Sequence, residues 1–232
     1  NDGETARLFL ERYLAVGQGG QQGVRFPHVF TAPVNTGVPS GLDLNNNGST
    51  SDPDDAWGYG RYPGQYGMAV YSVHPIEANA ARTFRMLRWA DMPGHHMPDG
   101  RDGRPAWYSA EAAAALRLSS KSHWDVPVRI GSRRVHLVCA HPTPGIFDGP
   151  EDRNGRRNFD EIRLVADYLR GGDAAAYIVD DGGRRGAIAP GALFVVMGDF
   201  NSDPARDEAP YGRRAMDAIL TLPAVQDPAP AG

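Results

Sequence analysis

The chain has 232 residues, a formal net charge of −4 and one cysteine. That length fits one sizeable core. The acidic balance excludes a global basic field for nucleic acid, and the lone Cys139 excludes an intrachain disulfide. With 28 Gly and 19 Pro many loops are expected, and no apolar run reaches membrane-spanning length.

The sequence opens abruptly on a charged, helix-like segment without a signal-peptide pattern, which reads as a chain whose true start is missing. Glu4 to Val16 predicts an amphipathic helix, with Leu8, Phe9, Tyr13 and Val16 at helical spacing, ended by the glycine-rich Gly17 to Gly23. Val24 to Ala32 predicts a short strand broken by Pro27. Thr31 to Tyr62 is a long insertion rich in Gly, Asn and Asp. Within it Asp43, Asn45, Asn47 and Asp54 fall at positions one, three, five and twelve of a calcium-loop pattern, with Gly48 at six. Two neutral ligands and a short final Asp fit a solvated Asn-Gly turn better, and that reading is favoured. Ca²⁺, if bound, would stiffen the loop.

Gln65 to Ile76 and Ala81 to Trp89 predict strands. Asp91 to Trp107 is a loop in which His95 and His96 are expected to face solvent. Ala110 to Leu118 predicts a short helix. Trp124 to Ile130 and Arg133 to Ala140 predict a hairpin about the Gly131-Ser132 turn, with Lys121 and His123 just ahead of it. Cys139 is expected to be a small buried core residue. The second strand of the hairpin ends at His141, which can cap a strand or serve a site. The loop beyond carries Arg153, Arg156 and Arg157 among Asp148, Glu151 and Asp152. Guanidinium groups suit phosphate because they are planar bidentate donors, and a solvated mixed-charge turn is the other reading. A helix with a broad apolar stripe is predicted over Asn158 to Arg170, then a polar loop over Tyr177 to Gly191.

Leu193 to Met197 is a run of large apolar residues that predicts a strand buried on both faces and stopped by Gly198. Asp199 and Asn201 project from its end, on either side of Phe200. Open α/β sheets place ligands at such strand ends. A carboxylate and an amide two residues apart can face a hard cation and a phosphate oxygen, although Asp, Asn, Ser and Pro also make ordinary turns. A last helix is predicted over Tyr211 to Leu222. With no repeat and no linker, residues 1–232 read as a single α/β (α+β) domain with a mixed sheet.

Three stretches together resemble a known family: VVMGDFNSDP (Val195 to Pro204), VHLVCAHPTP (Val135 to Pro144) and, more weakly, QYGMAVYSVHPI (Gln65 to Ile76). They are similar to the endonuclease/exonuclease/phosphatase superfamily, the deoxyribonuclease I-like metal-dependent phosphoesterases. The resemblance covers most of residues 60 to 227. It implies a four-layer sandwich of two packed mixed β-sheets flanked by helices, and hydrolysis of a phosphoester with Mg²⁺ or Mn²⁺. Under it, Asp199 orients or deprotonates the attacking water, and Asn201 holds the phosphate or the metal-bound water. Both residues lie on the metal side of the site, while His141 contacts the phosphate. The substrate is then a nucleic acid or a small phosphoester, with a nuclease-like phosphodiesterase first because of the Arg-rich loop. A phosphatase, a phospholipid phosphodiesterase, or a non-catalytic binding or surface module that keeps the fold are the alternatives. No protein partner is implied. The insertion and the DRNGRRN loop look like marks of a bacterial subgroup, for which secretion or cell-surface display is favoured.

The family pattern also has an opening strand with Asn, a second strand ending in a metal-binding Glu, and a closing Ser-Asp-His. None is found, so the sequence reads as a fragment lacking both termini, with unpaired sheet edges. Weak or absent turnover is therefore expected of this chain in metal-dependent nuclease and phosphatase assays, and robust turnover would contradict the fragment reading.

Overall fold

The computed structural model describes residues 3–205 and 212–227. Among them, six strands form two sheets. β1 (His28–Phe30) pairs antiparallel with β2 (Val70–Ser72). β3 (Arg82–Thr83), β4 (His123–Ile130), β5 (Arg133–Ala140) and β6 (Leu193–Gly198) make a four-stranded sheet in that order. β3, β4 and β5 are antiparallel neighbours, and β6 joins β5 in parallel. A parallel neighbour needs a long crossover. The helix α3 (Arg153–Arg170) lies in it.

The two-residue period of the central hairpin divides the core. Trp124, Val126 and Cys139 face the small sheet and pack with Val34 and Val70. Burial pushes the Cys139 thiol up to about 12, so it behaves as a small apolar group. On the opposite face Val138 and Ala140 meet Phe159, Ile162 and Val165 of α3. The small sheet, the mixed sheet and the helical layer stack into the α/β sandwich expected from the sequence. No helix among the described residues is long and apolar enough to cross a membrane.

Several elements depart from expectation. The first helix is α1 (Glu4–Phe9), continued by one π-helical stretch over Leu10–Leu14. Its apolar side is not buried: Ala6 is, while Phe9, Tyr13 and Val16 are exposed. Phe9 and Tyr13 instead stack on each other with ring centroids 5.6 Å apart. The segments predicted as long strands at 65–76 and 81–89 shrink to β2 and β3. Phe84, Leu87 and Trp89 still enter the core; the Phe84 N–H bonds His123 O of β4, while Leu87 and Trp89 bond the segment that follows Ala115, as in Trp89 N–H to Leu116 O at 2.8 Å. α2 (Ala110–Ala115) starts where predicted, capped by Ser109, and stops short of the expected end at Leu118. The last helix is only α4 (Asp217–Leu220), and Tyr211 lies outside the described residues.

α3 starts at Arg153, five residues before the predicted start. Arg153, Arg156 and Arg157, taken for part of a charged loop, lie in its first turns, where Asp148 accepts the otherwise unpaired Asn154 N–H at 2.6 Å. β6 also differs. Phe194 and Val196 reach the core, but Leu193, Val195 and Met197 are 45–47% exposed. The strand sits at the sheet edge, and the apolar cluster under the small sheet reaches only β4 and β5.

Gly198 belongs to β6 rather than ending it. Its φ is +145°, and a Cβ there would lie 1.9 Å from Ala140 O. Only glycine permits this approach, which brings the ends of β5 and β6 together. Gly198→Ala is expected to destabilise the domain by about 2 kcal/mol or more. A urea midpoint within error of the parent's would refute that constraint.

Candidate active site

The parallel pairing of β5 and β6 decides which residues meet. Ala140 lies opposite Gly198, so the next residues, His141 and Asp199, leave neighbouring strands at the same end. Their side chains approach to 4.0 Å, His141 Nε2 to Asp199 Oδ2. Asn201 takes a left-handed conformation with φ 48°, which Asn tolerates better than most residues. Its N–H donates to Asp199 Oδ1 at 3.0 Å, and its Nδ2 donates to Pro142 O at 3.1 Å. The His-Pro-Thr and Asp-Phe-Asn segments are thereby locked together.

A cleft of about 630 Å³ opens beside this corner, with Lys121, His141, Thr143 and Asn201 among its lining residues. Its far wall comes from the insertion, through Thr36, Asn45, Asp54 and Tyr59. Gly58 seats the insertion against the cleft, since a Cβ there would lie 1.9 Å from Ser120 O. Asn35, fully buried, secures it: its N–H donates to Lys121 O at 2.8 Å and its Nδ2 to Ser119 O at 2.7 Å.

The inner side of the cleft is held by α3. Glu161 is fully buried, and its two carboxylate oxygens accept the Ser120 N–H at 2.7 Å and the Thr143 N–H at 2.6 Å. Asn158 donates to Thr143 O at 2.8 Å and Phe200 O at 2.9 Å. One helix thus joins all three loops of the site. Sequence reasoning missed Asn35, Asn158 and Glu161, and gave Lys121 no role. The available signal was the spacing of Asn158 and Glu161, three apart and beside the apolar stripe of Phe159, Ile162 and Val165.

The arginines behave differently from expectation. Arg156 and Arg157 are both buried and bonded to the protein's own groups, and Arg157 also lines the cleft. Arg157 Nε donates to Leu118 O at 2.9 Å, and its Nη2 to Trp57 O and Arg117 O at 2.6 and 2.7 Å. Arg156 Nη1 bonds His96 O and pairs with Asp102. Arg153 borders the cleft, paired with Glu151 and lying over the Trp107 ring at 4.9 Å. His95 and His96 are likewise not solvent-facing. The His95 side chain is buried, and His96 bonds Asp160 through Nδ1 at 2.8 Å.

In the insertion loop, Asp43 accepts the backbone N–H groups of Asn47 and Gly48. Asn45 and Asn47 turn to Asp52, not to Asp54. Asp54 faces the cleft instead, where burial raises its carboxyl above the ordinary range, with Asp52 adding to the effect. Among the described residues no group of three or more His, Cys, Asp or Glu gathers as a metal site. The Asp199 carboxylate, 68% exposed beside the Asn201 amide, supplies hard oxygen donors of the kind Mg²⁺ or Mn²⁺ takes in part, the rest being water or substrate oxygen.

Electrostatics follow from burial. His141 is held below its ordinary pKa, first by desolvation and then by the Lys121 cation, against the pull of Asp199 and Glu161. A hydrogen bond to the backbone of Tyr66, itself at φ 59°, steadies the ring. The weaker QYGM resemblance therefore reaches the site through its main chain. Lys121 is lowered by burial, and Glu161 and Asp199 oppose the shift. His123 is fixed neutral between Ser119 Oγ at 2.6 Å and Glu161 O at 2.9 Å, and burial lowers its pKa too.

A strand-end His and an Asp-Phe-Asn turn thus meet beside a cleft on a layered α/β sandwich. The sequence profile described as "Endonuclease/Exonuclease/phosphatase family" matches residues 10–228, and the chain belongs to this family of metal-dependent phosphoester hydrolases. No curated protein and no solved structure matches it.

The histidine shifts have a consequence for stability. His95, His123 and His141 all titrate lower in the folded chain than their ordinary 6.5. Above that value both states are neutral and nothing is lost. As pH falls below it the unfolded chain takes up protons first, so folding stability declines from about pH 6.5 downward. Urea midpoints from pH 8 to 5 should fall across that window. Phe substitution of His123 should flatten the decline, and an unchanged slope would refute its share.

Proposed function

We propose that this cleft hydrolyses a small phosphodiester, with His141, Asp199 and Asn201 arranged about the phosphorus. The observation that carries the reading is the 4.0 Å approach of His141 and Asp199 at the ends of two parallel strands. Asp199 and Asn201 would hold the divalent metal, which polarises a phosphoryl oxygen when bound. Asp199 is exposed enough to receive a water molecule, and its carboxylate orients that water and accepts its proton. His141, neutral near pH 7, donates a ring N–H to a phosphoryl oxygen or shuttles a proton. Asn201, tied to Pro142 O, keeps its amide beside both.

A small diester is favoured over a long nucleic acid by the placement of charge and apolar surface. Arg153 and Arg157 line the cleft, but Arg153 is paired with Glu151, Arg157 with main-chain carbonyls and Arg156 with Asp102, so none of the three offers the free cation that a backbone track needs. The walls instead offer Tyr59, Tyr66, Tyr108 and Phe147, which suit organic groups on the phosphate.

Hydrolysis of bis(p-nitrophenyl) phosphate with Mg²⁺ or Mn²⁺ should exceed that of p-nitrophenyl phosphate and of duplex DNA. Asp199→Asn and His141→Ala should each lower the diester rate by about 10²–10⁴-fold. A monoester preference, a steep salt dependence on DNA, or variants as fast as the parent would each count against the proposal.

A further inference from the structure

The floor of the cleft holds a cation that the reaction scheme above does not use. Lys121 is 5% exposed. Its ammonium donates to Pro142 O at 3.1 Å, the same oxygen that accepts the Asn201 amide at 3.1 Å. The ammonium therefore sits next to Asn201. Among the described residues no carboxylate forms an ion pair with it, although the charges of Glu161 and Asp199 act on it at longer range. An ammonium has three donors, and leaving donors of a buried cation unsatisfied is expensive.

Two hydroxyls flank this cation in the chain and in the cleft. Ser120 is its neighbour in sequence. Thr143 follows the proline whose carbonyl it bonds. Both residues are buried and line the cleft, and neither Ser120 Oγ nor Thr143 Oγ1 has a hydrogen-bond partner. Buried hydroxyls are ordinarily satisfied. Their backbone N–H groups are the two clamped by Glu161, so both loops are rigidly placed while their side chains stay uncommitted.

A cation with spare donors and two unpaired hydroxyls, on loops fixed by one carboxylate, complements a tetrahedral oxyanion. We propose that Lys121, Ser120 and Thr143 form an anion subsite that grips the non-bridging oxygens of a phosphoryl group, and that inorganic phosphate binds there without any metal. The subsite deepens the phosphodiester reading and rests on it for its role in turnover, but phosphate binding itself does not depend on that reading. Lys121 would neutralise charge on the phosphoryl oxygens as the ester breaks, from the side of Asn201. Removing it should raise KM and lower kcat together.

The test is phosphate binding to the whole chain in the presence of a chelator, followed by phosphorus NMR line width and calorimetry. The parent should bind phosphate at millimolar concentration, with sulfate competing. Lys121→Met should weaken binding about tenfold, and Ser120→Ala and Thr143→Val by a few-fold each. Thr143→Val keeps shape and removes an unsatisfied hydroxyl, so its thermal midpoint should not fall. That variant decides the matter if Lys121→Met fails to fold. Absence of phosphate binding by the parent, or unchanged affinity in Thr143→Val and Ser120→Ala, overturns the subsite. Diester turnover with unaltered KM and kcat in these variants would also overturn it, while leaving the hydrolase reading intact. Phosphate binding lost in the variants, without diester turnover by the parent under any divalent metal, would sustain the subsite and remove the hydrolase reading.

Discussion

The site depends on one buried carboxylate. Glu161 projects from the middle of α3, and each of its oxygens accepts a backbone N–H from a different loop. Charge-assisted bonds of this kind contribute about 1.5–3 kcal/mol each, and losing the carboxylate would orphan two buried donors. Asn158, one turn earlier, repeats the device for Thr143 and Phe200. The ends of β5 and β6 and the turn before β4 are thus referred to a single rigid helix. Rigid elements hold a site to sub-ångström tolerance better than loops bonded only to each other.

The same helix explains why so many charged residues are buried in a small domain. Asp160 accepts the Trp89 indole N–H at 2.7 Å and the His96 N–H at 2.6 Å, and Arg157 gathers three carbonyls. Each long loop that wraps the helix leaves backbone groups without sheet partners, and these polar side chains satisfy them. The high glycine and proline content and the buried charge of α3 are two sides of one arrangement. Loops do the covering that longer strands do elsewhere, and the helix supplies the missing hydrogen bonds.

The insertion at 31–62 takes part in the site. Asn35 and Gly58 attach it to the segment carrying Ser120 and Lys121, so the far wall of the cleft and its floor are fixed relative to each other. Its Asn-rich turn closes on Asp43 and Asp52, and Asp54 is released to the cleft. Phosphate chemistry and the shape of the organic pocket are therefore built by different parts of the chain that meet at one loop.

By itself the sequence determined the hairpin, α3 over most of its length, the burial of Cys139 and the two strand-end motifs that name the family. Those features rest on local periodicity and on residue types at fixed spacing, which survive without knowledge of the fold. Tertiary structure decided the remainder. Leu193, Val195 and Met197 read as core but lie exposed, because burial depends on what covers a face and not on the face alone. Arg156 and Arg157 read as phosphate ligands but turn to carbonyls of loops that are distant in sequence. Asn35 and Lys121 carried no local signature, since their roles arise from contacts between segments far apart in sequence, as from Asn35 to Lys121. Long-range hydrogen bonding among buried polar groups has no period along the chain, and only the folded arrangement displays it.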